Sequence, residues 1–242
     1  MSQEYQRQVV LDTETTGMNQ GIGPHWEGHR IIEIGCVEII NRRLTGRHFH
    51  VYLQPDRPVD PEAIEVHGIT DEFLADKPRF HEVAEDFIEF IRGAELVIHN
   101  APFDIGFMDH EFRSWRRDAA MTETFCGVTD TLVMARKIFP GKRNNLDVLC
   151  DRYHIDNSNR TLHGALLDAE ILAEVYLAMT GGQTKLNLVS TMEGDGDSGG
   201  IRRLSSERRP LKVLRATDVE LQAHEERLDL VAKKGGACLW RG

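Results

Sequence analysis

Val9-Val10-Leu11-Asp12-Thr13-Glu14-Thr15-Thr16-Gly17 carries an apolar run straight into two carboxylates separated by one residue. Side chains along a strand alternate faces, so Asp12 and Glu14 share one face and Thr13 points to the other. Two anions side by side at the end of a buried strand repel each other and lose hydration. Folding alone gives no reason to put them there. A hard divalent cation such as Mg²⁺ or Mn²⁺ removes the conflict, because such ions take oxygen ligands. The plainer alternative is a strand that ends in a solvated acidic turn, since D-x-E is a short and common pattern.

Two more carboxylates stand where folding does not ask for them. In the segment after Asn100, Asp104 precedes the apolar Met108 and Phe112 by one and two helical turns. Farther on, Ala165, Asp168, Leu172, Val175 and Met179 follow helical spacing, which places Asp168 on a buried stripe. A lone buried carboxylate costs several kcal/mol, of order. Each taken singly fits a carboxylate at the stripe's edge paired with an arginine; the four together favour a shared metal site. His163, just ahead of that last helix, has the titration range of a general base, although a surface histidine is the simpler reading of one among 11.

The rest of the chain supplies the frame. Arg30 to Ile40 reads as a long strand and Leu44 to Leu53 as its hairpin partner, after which Pro55, Pro58 and Pro61 stop further pairing. Short helices follow, with Asp60 and Thr70 as N-caps. Phe80, Val83, Ala84, Phe87, Ile88 and Ile91 mark an amphipathic helix, and Leu96 to Asn100 a short buried strand. Asn100 caps the next helix, whose apolar stripe is Ile105, Met108, Phe112 and Trp115. Strand Gly127–Asp130 and helices over 131–138, 145–153 and 166–180 complete the domain. Three strands followed by alternating strands and helices predict an α/β fold with a mixed sheet.

Beyond Thr180 the composition changes. Met192 to Ser206 is rich in Gly, Ser and charge and reads as a flexible linker. Thr217-Asp218-Val219-Glu220 has the form of a capping box, and Leu221, Leu228 and Val231 give a helical stripe before Gly235-Gly236 and Trp240. Some 30 residues bury no core of their own, so an ordered tail predicts docking on a partner.

Charge constrains the partners. Residues 1–180 carry 18 Lys+Arg against 30 Asp+Glu, a balance of −12, whereas 181–242 carry 11 against 9. An acidic domain is a poor general nucleic-acid binder, so if the chain acts on nucleic acid, bound metal must offset the repulsion and a second protein must hold the substrate near. No apolar run approaches the ~20 residues of a membrane span. Four scattered cysteines and an N-terminus without signal-peptide character predict a cytoplasmic protein with reduced thiols.

Three segments together carry a resemblance. Leu11-Asp12-Thr13-Glu14-Thr15-Thr16-Gly17, Asn100-Ala101-Pro102-Phe103-Asp104 and His163-Gly164-Ala165-Leu166-Leu167-Asp168 resemble the three motifs of the DEDDh 3′→5′ exonucleases. The likeness covers residues 7–180 and implies a ribonuclease H-like mixed sheet flanked by helices. Over its full length the chain is similar to the epsilon (proofreading) family of bacterial DNA polymerase III. That implies an exonuclease domain over 1–182, a clamp-binding peptide over 183–188 (Gln183, Leu186, Leu188), a flexible linker over 189–210 and a short polymerase-binding helical tail over 211–242. Leu221, Leu228, Val231 and Trp240 would make the tail's contacts.

Within the site, the resemblance implies two Mg²⁺ or Mn²⁺ held by Asp12, Glu14, Asp104 and Asp168, with Asp12 bridging them and His163 as general base. Asp12, Glu14, Asp168, Glu62 and His67 would meet the substrate, Glu62 on the 3′-hydroxyl. The backbone of Thr13 and Thr15, and Phe103 as a stacking wedge, would add to this. The implied partners are a single-stranded or mispaired DNA 3′ end, the polymerase catalytic subunit, the sliding clamp and a small accessory (theta) subunit, with the protein cytoplasmic and nucleoid-associated. Two other functions fit the sequence less well: a DEDDh ribonuclease trimming RNA 3′ ends, which needs no tether, and a non-catalytic clamp–polymerase adaptor, which needs no intact carboxylates.

Overall fold

A computed structural model describes residues 7–158, 160, 162–181, 215–235 and 238–241. The chain divides into two units, Met1–Lys185 and Leu186–Gly242.

The first unit is built on a five-stranded sheet in the order β3-β2-β1-β4-β5. Strands β1 (Arg7–Thr15), β2 (Ile31–Ile40) and β3 (Arg43–Tyr52) form an antiparallel meander, and β4 (Glu95–Ile98) and β5 (Gly127–Asp130) add parallel to β1. This is the mixed sheet that the order of elements predicts. β1 is central and buried on both faces: Val9 and Leu11 enter one core and Val10 the other. It runs three residues past Asp12, so both carboxylates lie within the paired strand rather than in a turn.

The Val9–Leu11 face packs on α3 (Phe80–Ile91) and α4 (Ala101–Trp115) through Phe80, Phe87, Phe107 and Phe112. The opposite face packs on α5 (Thr131–Ile138), α6 (Leu146–Tyr153) and α7 (Ala165–Gly181). A smaller cluster, Ile32, Val59, Ile69 and Leu74, seats α1 (Pro61–His67) and α2 (Asp71–Leu74). Among the described residues no helix is long and apolar enough to cross a membrane.

Of the predicted N-caps, Thr70 accepts from the backbone amide of Phe73; Asn145, not predicted as a cap, accepts likewise from Val148. Asp60 and Asn100 occupy N-cap positions but make no cap hydrogen bond. Asp60 accepts from Arg57 Nη2 at 2.6 Å instead, and Asn100 is left-handed (φ 70°, ψ 51°), spending its conformation on the turn from β4 into α4. On α4 the expected stripe is too narrow: Ile105 and Trp115 are half-buried, while Phe107, Asp109 and Glu111 are buried as well. Glu111 is held by a two-pronged contact from Arg30 at 2.8 and 2.7 Å.

The second unit contains α8 (Asp218–Gly235). Its capping box is formed: Thr217 Oγ1 accepts from Glu220 N, and Glu220 Oε2 accepts from Thr217 N at 2.8 Å. Arg241 reaches back to Asp229 and Glu225. Of the expected stripe only Leu228 is buried; Leu221, Val231 and Trp240 are exposed. Gln183, Leu186, Leu188 and the 189–210 linker lie outside the described residues.

Candidate active site

The cleft forms because three elements deliver carboxylates to one edge of the sheet. Asp12 and Glu14 sit among the last four residues of β1, toward its C-terminal end. β4 runs parallel to β1, so its own C-terminal end lies at that edge. The left-handed turn at Asn100 then starts α4 there and brings in Asp104 from the helix's first turn. Thr13, on the opposite face from Asp12 as alternation requires, donates its hydroxyl to Asp104 Oδ1 at 2.7 Å and orients it.

α7 delivers the fourth carboxylate. Its first residues press on β2 at Gly35, the residue paired with Asp12, where an added Cβ would stand 2.2 Å from the Ala165 and Leu166 backbone. Only glycine admits that approach. Glu33, paired with Glu14 on the same strand, accepts from Ala165 N at 3.1 Å and caps α7; His50 Nε2 lies 2.7 Å from the other Glu33 oxygen. Asp168, in the first turn of α7, is thereby buried beside β1. Asp12, Glu14, Asp104, His163 and Asp168 all line one cavity of about 370 Å³. Ligand atoms of Glu14, His163 and Asp168 lie within 4.8 Å of one another.

The electrostatics are those of an under-neutralised anion cluster. Burial, then Asp168, Glu33 and Asp104, push Glu14 up to about 8. Burial lifts Asp104 to about 7 against the opposing hydrogen bond from Thr13. Asp12 is raised well above the usual carboxylate range, by burial first and then by Asp104, Glu14 and Asp168. Asp168 alone goes the other way: burial opposes, but the hydrogen bonds and charge of Arg160, with His163 beside it, hold it low. Arg160 contacts both Asp168 oxygens, at 2.5 and 2.7 Å, and donates to His163 Nδ1 at 2.9 Å and to Asp147 at 2.6 Å. The arginine-paired edge carboxylate expected as the plainer alternative is therefore present at Asp168, alongside the clustering rather than instead of it. Four oxygen-donor groups, three of them held above the usual carboxylate range by burial and by one another, fit a hard divalent ion.

A second cavity adjoins the first. It has a volume of about 290 Å³ and is lined by Glu62 and His67 of α1 together with Glu14, Thr15 and Phe103. Glu62 is exposed, whereas His67 is buried. Ile69 N donates to His67 Nδ1 at 3.0 Å, so the neutral ring carries its proton on Nε2, which has no partner among the described residues. Burial keeps that ring below the usual histidine range and hence neutral. An orphaned buried donor costs roughly 1–3 kcal/mol, and the His67 ring is one of the groups bordering this cavity. Phe103 lies between the two cavities with His25 stacked on it, ring centroids 5.0 Å apart.

Sequence reasoning missed Arg160, Gly35, Glu33 and His25. Arg160 lies in an aperiodic loop, and its one signal is its place three residues ahead of His163. Gly35 in the middle of a strand is a signal for close backbone approach.

The family profile described as Exonuclease (RNase T) matches residues 9–176. DNA polymerase III subunit epsilon of Escherichia coli K12 is 67% identical over 244 residues, covering all of both chains. Its Haemophilus influenzae namesake is 60% identical over 97% of this chain and 94% of its own. Among solved structures, exonuclease X in complex with 5′-overhanging duplex DNA superposes with a TM-score of 0.54 at 27% identity, covering 72% of this chain and 91% of that one. A zinc-bound E. coli ExoI–ssDNA complex shares the fold, with a TM-score of 0.59 at 18% identity over 75% of this chain and 42% of that one. With carboxylates converging as they do in a domain that this profile spans, the chain belongs to the exonuclease family and, within it, to the epsilon subunits of DNA polymerase III.

Proposed function

We propose that the chain is the proofreading 3′→5′ exonuclease of a replicative DNA polymerase, removing mispaired 3′-terminal nucleotides by hydrolysis. The observation that carries this is the convergence of Asp12, Glu14, Asp104 and Asp168, with His163 at the rim, in one cleft.

The four carboxylates Asp12, Glu14, Asp104 and Asp168 would hold two Mg²⁺ or Mn²⁺. Bound there, the ions supply charge neutralisation at phosphorus and acidify the attacking water. The chain's own groups do the rest. His163 takes the proton from that water as its oxygen attacks phosphorus. The P–O3′ bond breaks, the departing 3′-oxygen takes up a proton, and a 5′-mononucleotide leaves a strand shortened by one. To serve as base, His163 must release the Arg160 hydrogen bond at Nδ1 or present its other nitrogen.

The adjoining cavity suits the terminal nucleoside. Glu62 accepts from the 3′-hydroxyl, so a free end is required, and His67 Nε2–H gives its unused hydrogen bond to the sugar or base. Phe103, backed by His25, presents a ring on which the base edge rests. The backbone of Thr15 borders the same cavity.

The tail binds the polymerase catalytic subunit. Trp240, Leu221 and Val231 are exposed on a short unit whose ends are pinned by its capping box and by Arg241. Gln183, Leu186 and Leu188 bind the sliding clamp, and a theta-type subunit binds the catalytic domain. The assembly works in the cytoplasm, at the nucleoid.

The test is the purified chain on a 3′-mispaired primer with Mg²⁺ or Mn²⁺. It should release 5′-mononucleotides, stop in chelator, and prefer DNA over RNA of the same sequence. Asp12→Ala should abolish release and His163→Ala should lower it by ~10²-fold or more. Activity undiminished by Asp12→Ala would overturn the site.

A further inference from the structure

The cleft has a second neighbour, on the side of α4 and α5. A groove of about 510 Å³ carries the cations Arg136, Lys142 and Arg143 and shares His99, Asn100 and Asn145 with the carboxylate cavity. The nucleoside cavity shares Glu14 and Phe103 with that same cleft and none of its lining with the groove. The three cavities thus run in series, with the carboxylates in the middle.

The groove's charge runs against that of the domain. Residues 136–143 read Arg-Lys-Ile-Phe-Pro-Gly-Lys-Arg, four cations with no carboxylate, in a domain with 30 acidic residues to 18 basic. Among the described residues no carboxylate lines the groove. All three of its cations are exposed, and among the described residues none is in an ion pair. The loop that presents Lys142 and Arg143 is built rather than loose. Buried Asn144 donates to the carbonyls of Phe139 and Lys142 at 3.3 and 3.0 Å and accepts from Arg152 Nη1 at 2.7 Å. Arg152 Nη2 donates to Arg143 O at 2.5 Å, and its guanidinium lies over the Phe139 ring, 4.6 Å from the centroid. Unpaired cations fixed at the mouth of an anionic site need a polyanion to meet.

We propose that this groove is the track for the sugar–phosphate backbone of the single strand leading to the scissile linkage, with Arg136, Lys142 and Arg143 each facing phosphate. A 3′ end fixes the direction. With the terminal nucleoside in the Glu62–His67 cavity and the scissile phosphate at the carboxylates, the 5′ continuation leaves from the far side of the cleft, where the groove begins. The inference rests on the proofreading reading above and adds to it the residues that hold the upstream strand.

The experiment uses the full chain with Mn²⁺ and two probes: the p-nitrophenyl ester of thymidine 5′-monophosphate, which reaches the cleft and nucleoside cavity only, and a dodecamer of thymidylate, which extends into the groove. Cleavage of neither by the unaltered protein sinks the proofreading reading itself. Given cleavage, the Arg136→Ala/Lys142→Ala/Arg143→Ala protein should hydrolyse the ester at an unchanged rate while its KM for the dodecamer rises. Each single-strand phosphate contact contributes ~0.7 to the slope of log affinity against log salt, so the slope should fall by ~2. Over a fourfold rise in salt, the unaltered protein should then lose ~16-fold more affinity than the variant. The charge-preserving Arg136→Lys/Lys142→Arg/Arg143→Lys protein should keep the original slope. An unchanged slope in the alanine protein, or a slope lost from the charge-preserving one, overturns the proposal.

Discussion

Arg160 sets the balance of charge in the cleft. Its side chain and that of Asp168 are 7% and 4% exposed, so their contact is a buried pair. Breaking such a pair by removing one partner costs about 3–5 kcal/mol, because the other charge stays buried. In a domain of this size, 1 kcal/mol moves the melting temperature by ~2–4 °C. Arg160→Gln should therefore melt ~6 °C or more below the unaltered protein in chelator, and Mn²⁺ should restore most of the loss. Differential scanning calorimetry in both buffers reads this directly; equal melting in chelator would remove Arg160 from any such role. The other carboxylates give a pH dependence of definite sign. Glu14 titrates near 8 and Asp104 near 7 in the folded protein, against ordinary values of 4.5 and 3.8. Between those limits the folded chain holds protons that the unfolded chain has released, so stability in chelator should fall as pH rises from about 5 to 8. Asp168 acts oppositely, and its contribution is lost only in acid, as pH falls below its ordinary 3.8. Added Mn²⁺ should reverse the neutral-range decline, since an ion that prefers the ionised carboxylates stabilises most where they are ionised. A melting temperature that climbs from pH 5 to 8 in chelator would contradict the cluster.

At the scale of elements, the geometry depends on how closely α7 approaches β2. Gly35→Ala puts a methyl group 2.2 Å from the Ala165 and Leu166 backbone, where nothing can yield but the helix itself. Displacement of about 1 Å at a reacting group costs ~10²-fold, so this single methyl should lower kcat by that order while leaving β1 and its two carboxylates in place. Glu33→Gln, which keeps a hydrogen-bond acceptor for Ala165 N, should be milder; steady-state rates of the two proteins side by side test the ranking. This also explains what the sequence disclosed. Period-two and period-3.6 patterns were legible where residues repeat along one face: alternation separated Asp12 and Glu14 from Thr13, and helical spacing put Asp168 among Ala165, Leu172 and Val175. α4 was less legible, because it buries a broad arc containing Asp104, Phe107, Asp109 and Glu111, and three of those are acids whose partners lie far along the chain. Arg160 and the Asn144–Arg152 scaffold were invisible for a different reason. They sit in loops, where no period exists and only tertiary contacts assign a role. Asn100 misled because its usual use is as a side-chain cap, whereas here its tolerance of the left-handed region is what the turn employs.

At the scale of the molecule, an acidic nuclease domain and a distinct tail imply that grip on DNA is supplied from outside. The basic groove is small against a balance of −12 over residues 1–180, so free strands should be held weakly and with strong salt dependence. If the tail docks on the polymerase as proposed, the local concentration of the nuclease at a primer end rises to about the mM range, and such linkage exceeds the separate affinities by ~10²–10⁴-fold. A fragment ending at Lys185, the close of the first compact unit, should therefore cleave free single strands at the rate of the full chain. With the polymerase catalytic subunit present at submicromolar concentration, only the full chain should gain, by ~10²-fold or more on a mispaired primer. Trp240→Ala, which removes an exposed aromatic from the tail without touching the catalytic unit, should lose part of that gain and none of the free-strand activity. Excision kinetics of the three proteins, each with and without polymerase, measure it. Equal stimulation of fragment and full chain would mean that the catalytic domain docks by itself, and that the tail serves something other than tethering.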